Sequence, residues 1–110
     1  MLYVDFHAGD KDYKLRLNTR SIAVLEKQIG FNPLGLFRAN GTLPTVTEMV
    51  SVLYCSMLQL NHGVSLDDAY DIFETWLNED DHVATDFLDI LVEIYEVSGL
   101  LKKGSTKKNA

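Results

Sequence analysis

Histidine, cysteine and clustered aspartate side chains are the groups of this chain that could bind a metal or carry out catalysis. They are His7, His62, His82, Cys55, Asp67, Asp68 and Asp71. No histidine has a second histidine or the cysteine at metal-ligand spacing, and the spaced aspartates and closing glutamate of a calcium loop are absent. Asp67 and Asp68 fall in the first turn of a predicted helix, where acidic residues are favoured. Since no phosphate-binding loop or nucleophile-elbow motif occurs either, the sequence predicts no metal, no cofactor and no enzymatic activity.

The charges of the chain are divided unevenly along its length. Residues 66–98 hold eleven carboxylates and no Lys or Arg, whereas residues 1–44 carry six cations against four anions, and the tail adds four lysines. A block of one sign repels itself and attracts a basic surface. It argues against nucleic acid as a partner, because binding to phosphates draws on clustered Lys and Arg. We therefore expect a protein partner, together with weak, salt-sensitive self-association into a homo-oligomer through the opposed charges.

Length and composition restrict the class of protein. The chain has 110 residues, of which 46% are hydrophobic, and this is enough for one domain with its own core. Its single cysteine permits no internal disulfide, which fits a reducing cytoplasm. No apolar run is long enough for a membrane helix and no signal peptide is visible, so we expect a cytoplasmic protein that does not bind a membrane.

The first elements of the chain are predicted to be a β-hairpin. Apolar residues alternate with polar ones over residues 2–6 and 13–17, which is the pattern of half-buried strands, and residues 9–12 have turn chemistry. An isolated hairpin is marginal in water, so its apolar face must lie on helices. The residues predicted to be buried on that face are Val4, Phe6, Leu15 and Leu17.

Helix signals follow in the middle of the chain. A helix starts at residues 18–19 and ends at Gly30, and a short helix is predicted over residues 34–39 after an Asn-Pro pair. A capping box at Thr45 opens a helix that runs to about His62. Because this helix is apolar on most sides, we expect it to be the central, buried one.

Two more helices are predicted before the tail. A weaker capping box at Ser65 opens the first, and residues 80–81 are expected to cap the second, over about 82–98, with Gly99 as its end. The predicted fold is α+β, with the N-terminal hairpin packed on a bundle of four to five α-helices. Residues 1–99 would form a single, mainly helical domain and residues 100–110 a flexible basic tail.

Two stripes on the last helices each have two interpretations. One is aromatic and the other acidic, and their residues are Tyr70, Phe73 and Trp76, then Asp86, Asp89, Glu93 and Glu96. The aromatic stripe is typical of core packing, but it could also form a groove for a partner helix. The acidic stripe is either a solvated face or a surface that binds a basic partner. All seven residues are therefore candidate partner-binding residues.

Several segments of the chain resemble a known family. Residues 13–22 (YKLRLNTRSI) lead into LEKQIG at 25–30 and NPL at 32–34, and GVSLDDAYDIFETWL follows at 63–77. These segments resemble the tail assembly chaperones of long-tailed phages and prophages of Gram-positive bacteria. The resemblance covers roughly residues 2–98.

The resemblance implies a function without catalysis. Members of that family bind the long, helical, aggregation-prone tape measure protein before the tail tube polymerises around it. They work in the cytoplasm of the bacterial host and are absent from the mature virion. Many have a longer, frameshifted form that is thought to recruit the tail tube protein, and the lysine-bearing tail of this chain would be the join to such an extension.

Two other functions are compatible with the same charge pattern. A small acidic regulatory protein or inhibitor would bind one globular partner, such as a host enzyme or repressor, as a charge mimic of nucleic acid. A structural tail or head-completion protein would be found in purified particles. The number of copies bound to each target distinguishes a chaperone from an inhibitor.

Overall fold

The computed structural model of the chain describes residues 2–37 and 43–104. Within them a two-stranded hairpin, β1 (Val4–Ala8) and β2 (Lys11–Leu15), precedes four α-helices. The helices are α1 (Thr19–Ile29), α2 (Val46–Met57), α3 (Leu66–Leu77) and α4 (Phe87–Val97). Short 3-10 turns, Pro33–Leu36 and Ala84–Asp86, follow α1 and precede α4. This arrangement confirms the predicted α+β fold.

The hairpin has a tighter turn than the sequence indicated. Ala8 lies opposite Lys11, so the loop consists of Gly9 and Asp10 alone. Gly9 has a φ of 66°, and glycine at the first loop position is the pattern of a type II′ turn. The inward face is as predicted, since the four residues expected there are all less than 9% exposed: Val4, Phe6, Leu15 and Leu17.

Side-chain caps fix where the first three helices begin. Asn18, Thr45 and Ser65 each accept a hydrogen bond from the backbone N–H three residues later. These N–H groups have no partner within the helix, so each cap stabilises the predicted start. Gly30 ends α1 with a φ of 86°, also as predicted.

The middle helices are shorter than the sequence patterns suggested. The helix predicted over 34–39 is the 3-10 turn Pro33–Leu36, and residues 38–39 lie outside the described ones. Helix α2 ends at Met57 instead of near His62, and beyond it the Met57 carbonyl accepts from both the backbone N–H and the side-chain amide of Asn61, at 3.0 and 3.2 Å. The same side-chain amide donates to the backbone carbonyl of Lys14 in β2 at 2.6 Å, which connects the segment after α2 to the hairpin.

The start of the last helix differs most from the prediction. Asp80 and Asp81 have φ values of 51° and 57°, in the left-handed region that aspartate tolerates better than most residues. Neither can therefore cap a helix. Asp86 precedes α4 without a side-chain cap to it, but its carboxylate accepts the Val83 N–H at 2.9 Å and so fixes the 3-10 turn before α4 begins at Phe87.

The core is centred on α2, which contacts α1, α3, α4 and β2. No helix of residues 2–37 and 43–104 has the length and apolar character needed to cross a bilayer.

The packed region extends past the predicted boundary at residue 99. The N–H groups of Leu100 and Leu101 donate to the Tyr95 carbonyl at 2.9 and 3.3 Å, and both side chains pack against the core. The Tyr95 hydroxyl donates to the Pro33 carbonyl at 2.9 Å, and burial raises the pKa of this phenol. Of the predicted flexible tail, residues 105–110 lie outside the described ones.

Candidate functional site

The aromatic stripe of α3 is divided between core and surface. Phe73 and Trp76 are 3% and 4% exposed, whereas Tyr70 is 40% exposed. The ring of Phe73 meets that of Phe87 at 5.3 Å, and the ring of Trp76 meets that of Phe6 at 5.9 Å. Phe73 and Trp76 thus join α3 to α4 and the hairpin, as the core-packing interpretation expected. Of the three predicted aromatic contacts, only Tyr70 is available to a partner in this conformation.

The acidic block is largely exposed, but several of its carboxylates have structural partners. Nine of the eleven carboxylates in residues 66–98 are exposed, and Glu79 and Glu96 are half-buried. Asp68 caps α3, and its bonds to the Ser65 backbone and hydroxyl lower the pKa of its carboxyl. Glu79 accepts the Gly9 N–H at 2.9 Å and so fastens the hairpin turn beside the end of α3.

Asp86, one of the predicted acidic contacts, has a defined structural role in the 3-10 turn before α4. We expect Asp86→Ala to lower the free energy of unfolding by about 0.5–2 kcal/mol, because the substitution leaves the Val83 N–H without its acceptor. Asp89→Ala is the matched control, since Asp89 is exposed on the same helix and bonds to no described residue. Equal urea-denaturation midpoints for the two variants would contradict the capping role.

The exposed face of α4 carries two predicted acids that form no ion pair with a described cation. Asp89 and Glu93 are exposed, four residues apart on one side of the helix, and neither lies within ion-pairing distance of a cation among the described residues. Glu96 lies one turn beyond Glu93 and is half-buried. These three carboxylates give one side of α4 a negative potential.

A cleft of about 490 Å³ separates this side of α4 from β1, and we call it the acidic cleft. One wall is formed by Tyr3 and Asp5 at the start of the hairpin, and the other by Glu93, Glu96 and Val97 of α4. Lys103 and Gly104 also line the cleft. Tyr3 is 39% exposed and supplies an aromatic surface. The structure thus brings the predicted residues Glu93 and Glu96 together with Tyr3 and Asp5. The sequence had placed Tyr3 and Asp5 only on the outward face of a strand.

A family model matches residues 4–110, which include the hairpin and all four described helices. The chain belongs to this family, which is described as a family of unknown function (DUF6096). No curated protein and no solved structure matches the chain. The geometry of this DUF6096 member is therefore the direct source of functional inference.

A second cleft of the DUF6096 protein lies between the hairpin and α3. It has a volume of about 540 Å³, and its lining includes Lys11, Asp12, His62, Asp68 and Asp71. Three carboxylates and one lysine line this cleft, so its lining is also net negative, and charge alone does not distinguish it from the acidic cleft.

The residues first considered for chemistry are dispersed over the fold. The ring of His82 stacks on that of Trp76 with ring centroids 4.3 Å apart. His7 Nδ1 lies 2.7 Å from Asp12 Oδ1. Cys55 is buried, and burial raises the pKa of its thiol to about 12, so at neutral pH it is not a thiolate nucleophile. Within residues 2–37 and 43–104, no group of three or more histidine, cysteine or acidic side chains is arranged to hold a metal ion.

The His7–Asp12 pair gives the hairpin a dependence on pH. The hydrogen bond that the His7 ring donates to the Asp12 carboxylate raises the pKa of His7 above its usual value, because the carboxylate favours the imidazolium. This contribution to stability is complete below the unfolded pKa and is lost as the pH rises through the folded pKa. We expect Asp12→Asn to lower the pKa of His7 in an NMR titration, with Asp10→Asn as the matched control. An unchanged pKa in Asp12→Asn would show that the pair does not form in solution.

Proposed function

We propose that this protein is a tail assembly chaperone, which binds the phage tape measure protein and keeps it soluble during tail morphogenesis. The observation that carries the proposal is the exposed acidic side of α4, where Asp89 and Glu93 have no cation within ion-pairing distance among the described residues. The resemblance of residues 13–34 and 63–77 to tail assembly chaperones supplies the identity of the partner.

The charge on α4 suits a long helix that carries basic residues. Asp89, Glu93 and Glu96 line one side of α4 over about two turns. Exposed acids of this kind raise the rate of encounter with a basic target, while apolar contacts contribute most of the affinity. Tyr3 and Val97 provide such contacts in the acidic cleft, and the exposed ring of Tyr70 provides another on α3.

The proposed role requires binding alone and no catalysis. The protein would act in the cytoplasm of the bacterial host, leave before the virion matures and use an extended form to recruit the tail tube protein. The buried thiol of Cys55 and the dispersed histidines are compatible with such a role.

The proposal predicts that a neighbouring gene encodes a long helical protein, and co-expression with that gene tests it. We expect the long product to stay soluble only when this protein is present, and several copies to co-purify with each target chain. Native mass spectrometry of the purified complex counts those copies. A target that is equally soluble alone would contradict the proposal.

The acidic surface also suits a small inhibitor that binds one globular partner. The same mass measurement separates the two functions, because an inhibitor would bind one copy to one target. Recovery of the protein from purified virions would instead indicate a structural tail or head-completion component.

A further inference from the structure

The outer edge of β2 is covered by protein groups. The backbone N–H of Lys14 donates to the Asn61 side-chain oxygen at 3.3 Å, and its carbonyl accepts from the Asn61 side-chain nitrogen at 2.6 Å. Further along the same edge, the Arg16 N–H donates to the Ser56 carbonyl at 2.9 Å. Asn61 and the end of α2 thus take the place of a third strand on this side of the hairpin.

Among residues 2–37 and 43–104, none covers the outer edge of β1 in this way. Residues directly opposite each other in an antiparallel pair point their backbone groups alike, either both towards the partner strand or both away. Asp5 lies opposite Lys14, whose groups point away from β1, so the N–H and carbonyl of Asp5 point away from β2. His7, two residues further on, repeats this orientation. No described residue hydrogen-bonds to the backbone N–H or carbonyl of Asp5 or His7 on this outer side.

The acidic cleft lies beside this open edge. Asp5 and Glu93 both line it, and Glu96 adds a third carboxylate, while Lys103 is the one cation among its described lining residues. Side chains of an added strand would alternate between two faces, and one set would lie against the α4 wall. The net negative charge of the lining favours Lys or Arg in that set.

We propose that the outer edge of β1 binds an extended, lysine- or arginine-rich segment of a partner protein as a third strand. Backbone hydrogen bonds to Asp5 and His7 would provide the attachment, and the acids of the cleft would select basic residues at alternate positions. This site would bind an extended segment and not a helix, so the proposal can be tested independently of the chaperone role. Pairing with β1 of a second copy is disfavoured, because antiparallel pairing centred on Asp5 places two Asp5 carboxylates opposite each other.

Three synthetic heptapeptides test the proposal on the full chain. The first alternates lysine with valine, the second has glutamate for lysine, and the third is the first with every backbone nitrogen methylated. In hydrogen exchange followed by NMR, the first should slow exchange of the Asp5 and His7 amides by about tenfold or more. Exchange at Phe6, which pairs with Tyr13 inside the hairpin, should not change.

Each other outcome of the peptide experiment overturns the proposal. Equal binding of the methylated peptide would show attraction of charges without strand pairing. Binding of the glutamate peptide would show that the cleft does not select for charge. Protection of Asp5 and His7 that needs no peptide and grows with protein concentration would show that a second copy covers the edge.

A proline substitution tests the edge itself. Asp5→Pro removes the outward N–H, and the hairpin should persist because β2 does not use this group and proline is tolerated at a free edge. We expect Asp5→Pro to lower the affinity for the lysine peptide at least about tenfold, and Asp5→Asn, which keeps the N–H, to lower it less. If Asp5→Pro does not fold, Glu93→Lys is the deciding variant. It should also weaken binding of the lysine peptide, because it replaces an acid of the cleft with a cation. Wild-type affinity in the deciding variant overturns the proposal.

Discussion

Leu15→Ala is expected to lower the free energy of unfolding by about 2–5 kcal/mol. Leu15 has no exposed surface, and it lies on β2, the strand that packs against the central helix α2. Truncation removes buried methyl groups and leaves a cavity that the surrounding helices can fill only in part. Because an isolated hairpin is marginal in water, this contact is one of those that hold the two strands in the fold.

Urea denaturation of Leu15→Ala and Leu2→Ala measures this cost. Leu2 is 54% exposed, so its truncation should change the free energy of unfolding by no more than about 0.5 kcal/mol. A loss below about 0.5 kcal/mol for Leu15→Ala would mean that the hairpin packs through its other face.

Local patterns predicted the fold well where one residue type has one dominant effect. Alternation identified both strands and their inward face, and the caps at Asn18, Thr45 and Ser65 fixed the starts of three helices. Gly30 likewise marked the end of α1 through its left-handed conformation. In these cases the signal lies within four residues of its effect, so the sequence alone contains it.

The errors concern where helices end or begin. Helix α2 ends at Met57, and the Asn61 side chain that follows it bonds to the Lys14 carbonyl, 47 residues away along the chain. Asp80 and Asp81 read as helix caps, but both adopt left-handed conformations, and a 3-10 turn precedes α4. The Asn61 contact depends on where the chain returns in space, and a local pattern does not record it.

The candidate site was only partly predictable for the same reason. Charge alone singled out Glu93 and Glu96, but only the packing of β1 beside α4 brings Tyr3 and Asp5 to the same cleft. The aromatic stripe could not be divided from sequence, because its spacing is the same for a core and for a groove. Burial of Phe73 and Trp76 with Phe6 and Phe87 decides their position.

The second large effect is expected from reversing the charge of the α4 face. Asp89→Lys combined with Glu93→Lys should slow capture of the tape measure protein about tenfold or more at low salt, because steering by an acidic surface becomes repulsion of a basic target. The domain should stay folded, since both positions are exposed and bond to no described residue. Asp86 is left unchanged because it caps Val83.

A matched control separates the position of the charge from its amount. Asp10→Lys combined with Glu26→Lys changes the net charge by the same amount, at exposed positions on the hairpin turn and on α1. This control should capture the target like the wild type. Equal loss in both double variants would assign the effect to net charge and not to the α4 face.

The most direct measurement is the fraction of the proposed target, the tape measure protein, left in the supernatant after co-expression with each form of this protein. The proposed function predicts a soluble target with the wild type and with the control on Asp10 and Glu26, and an aggregated target with the variant on Asp89 and Glu93. The target should also aggregate when expressed alone. A target that stays soluble without any chaperone, or that the α4 variant keeps soluble as well as the wild type does, would contradict capture through the acidic face.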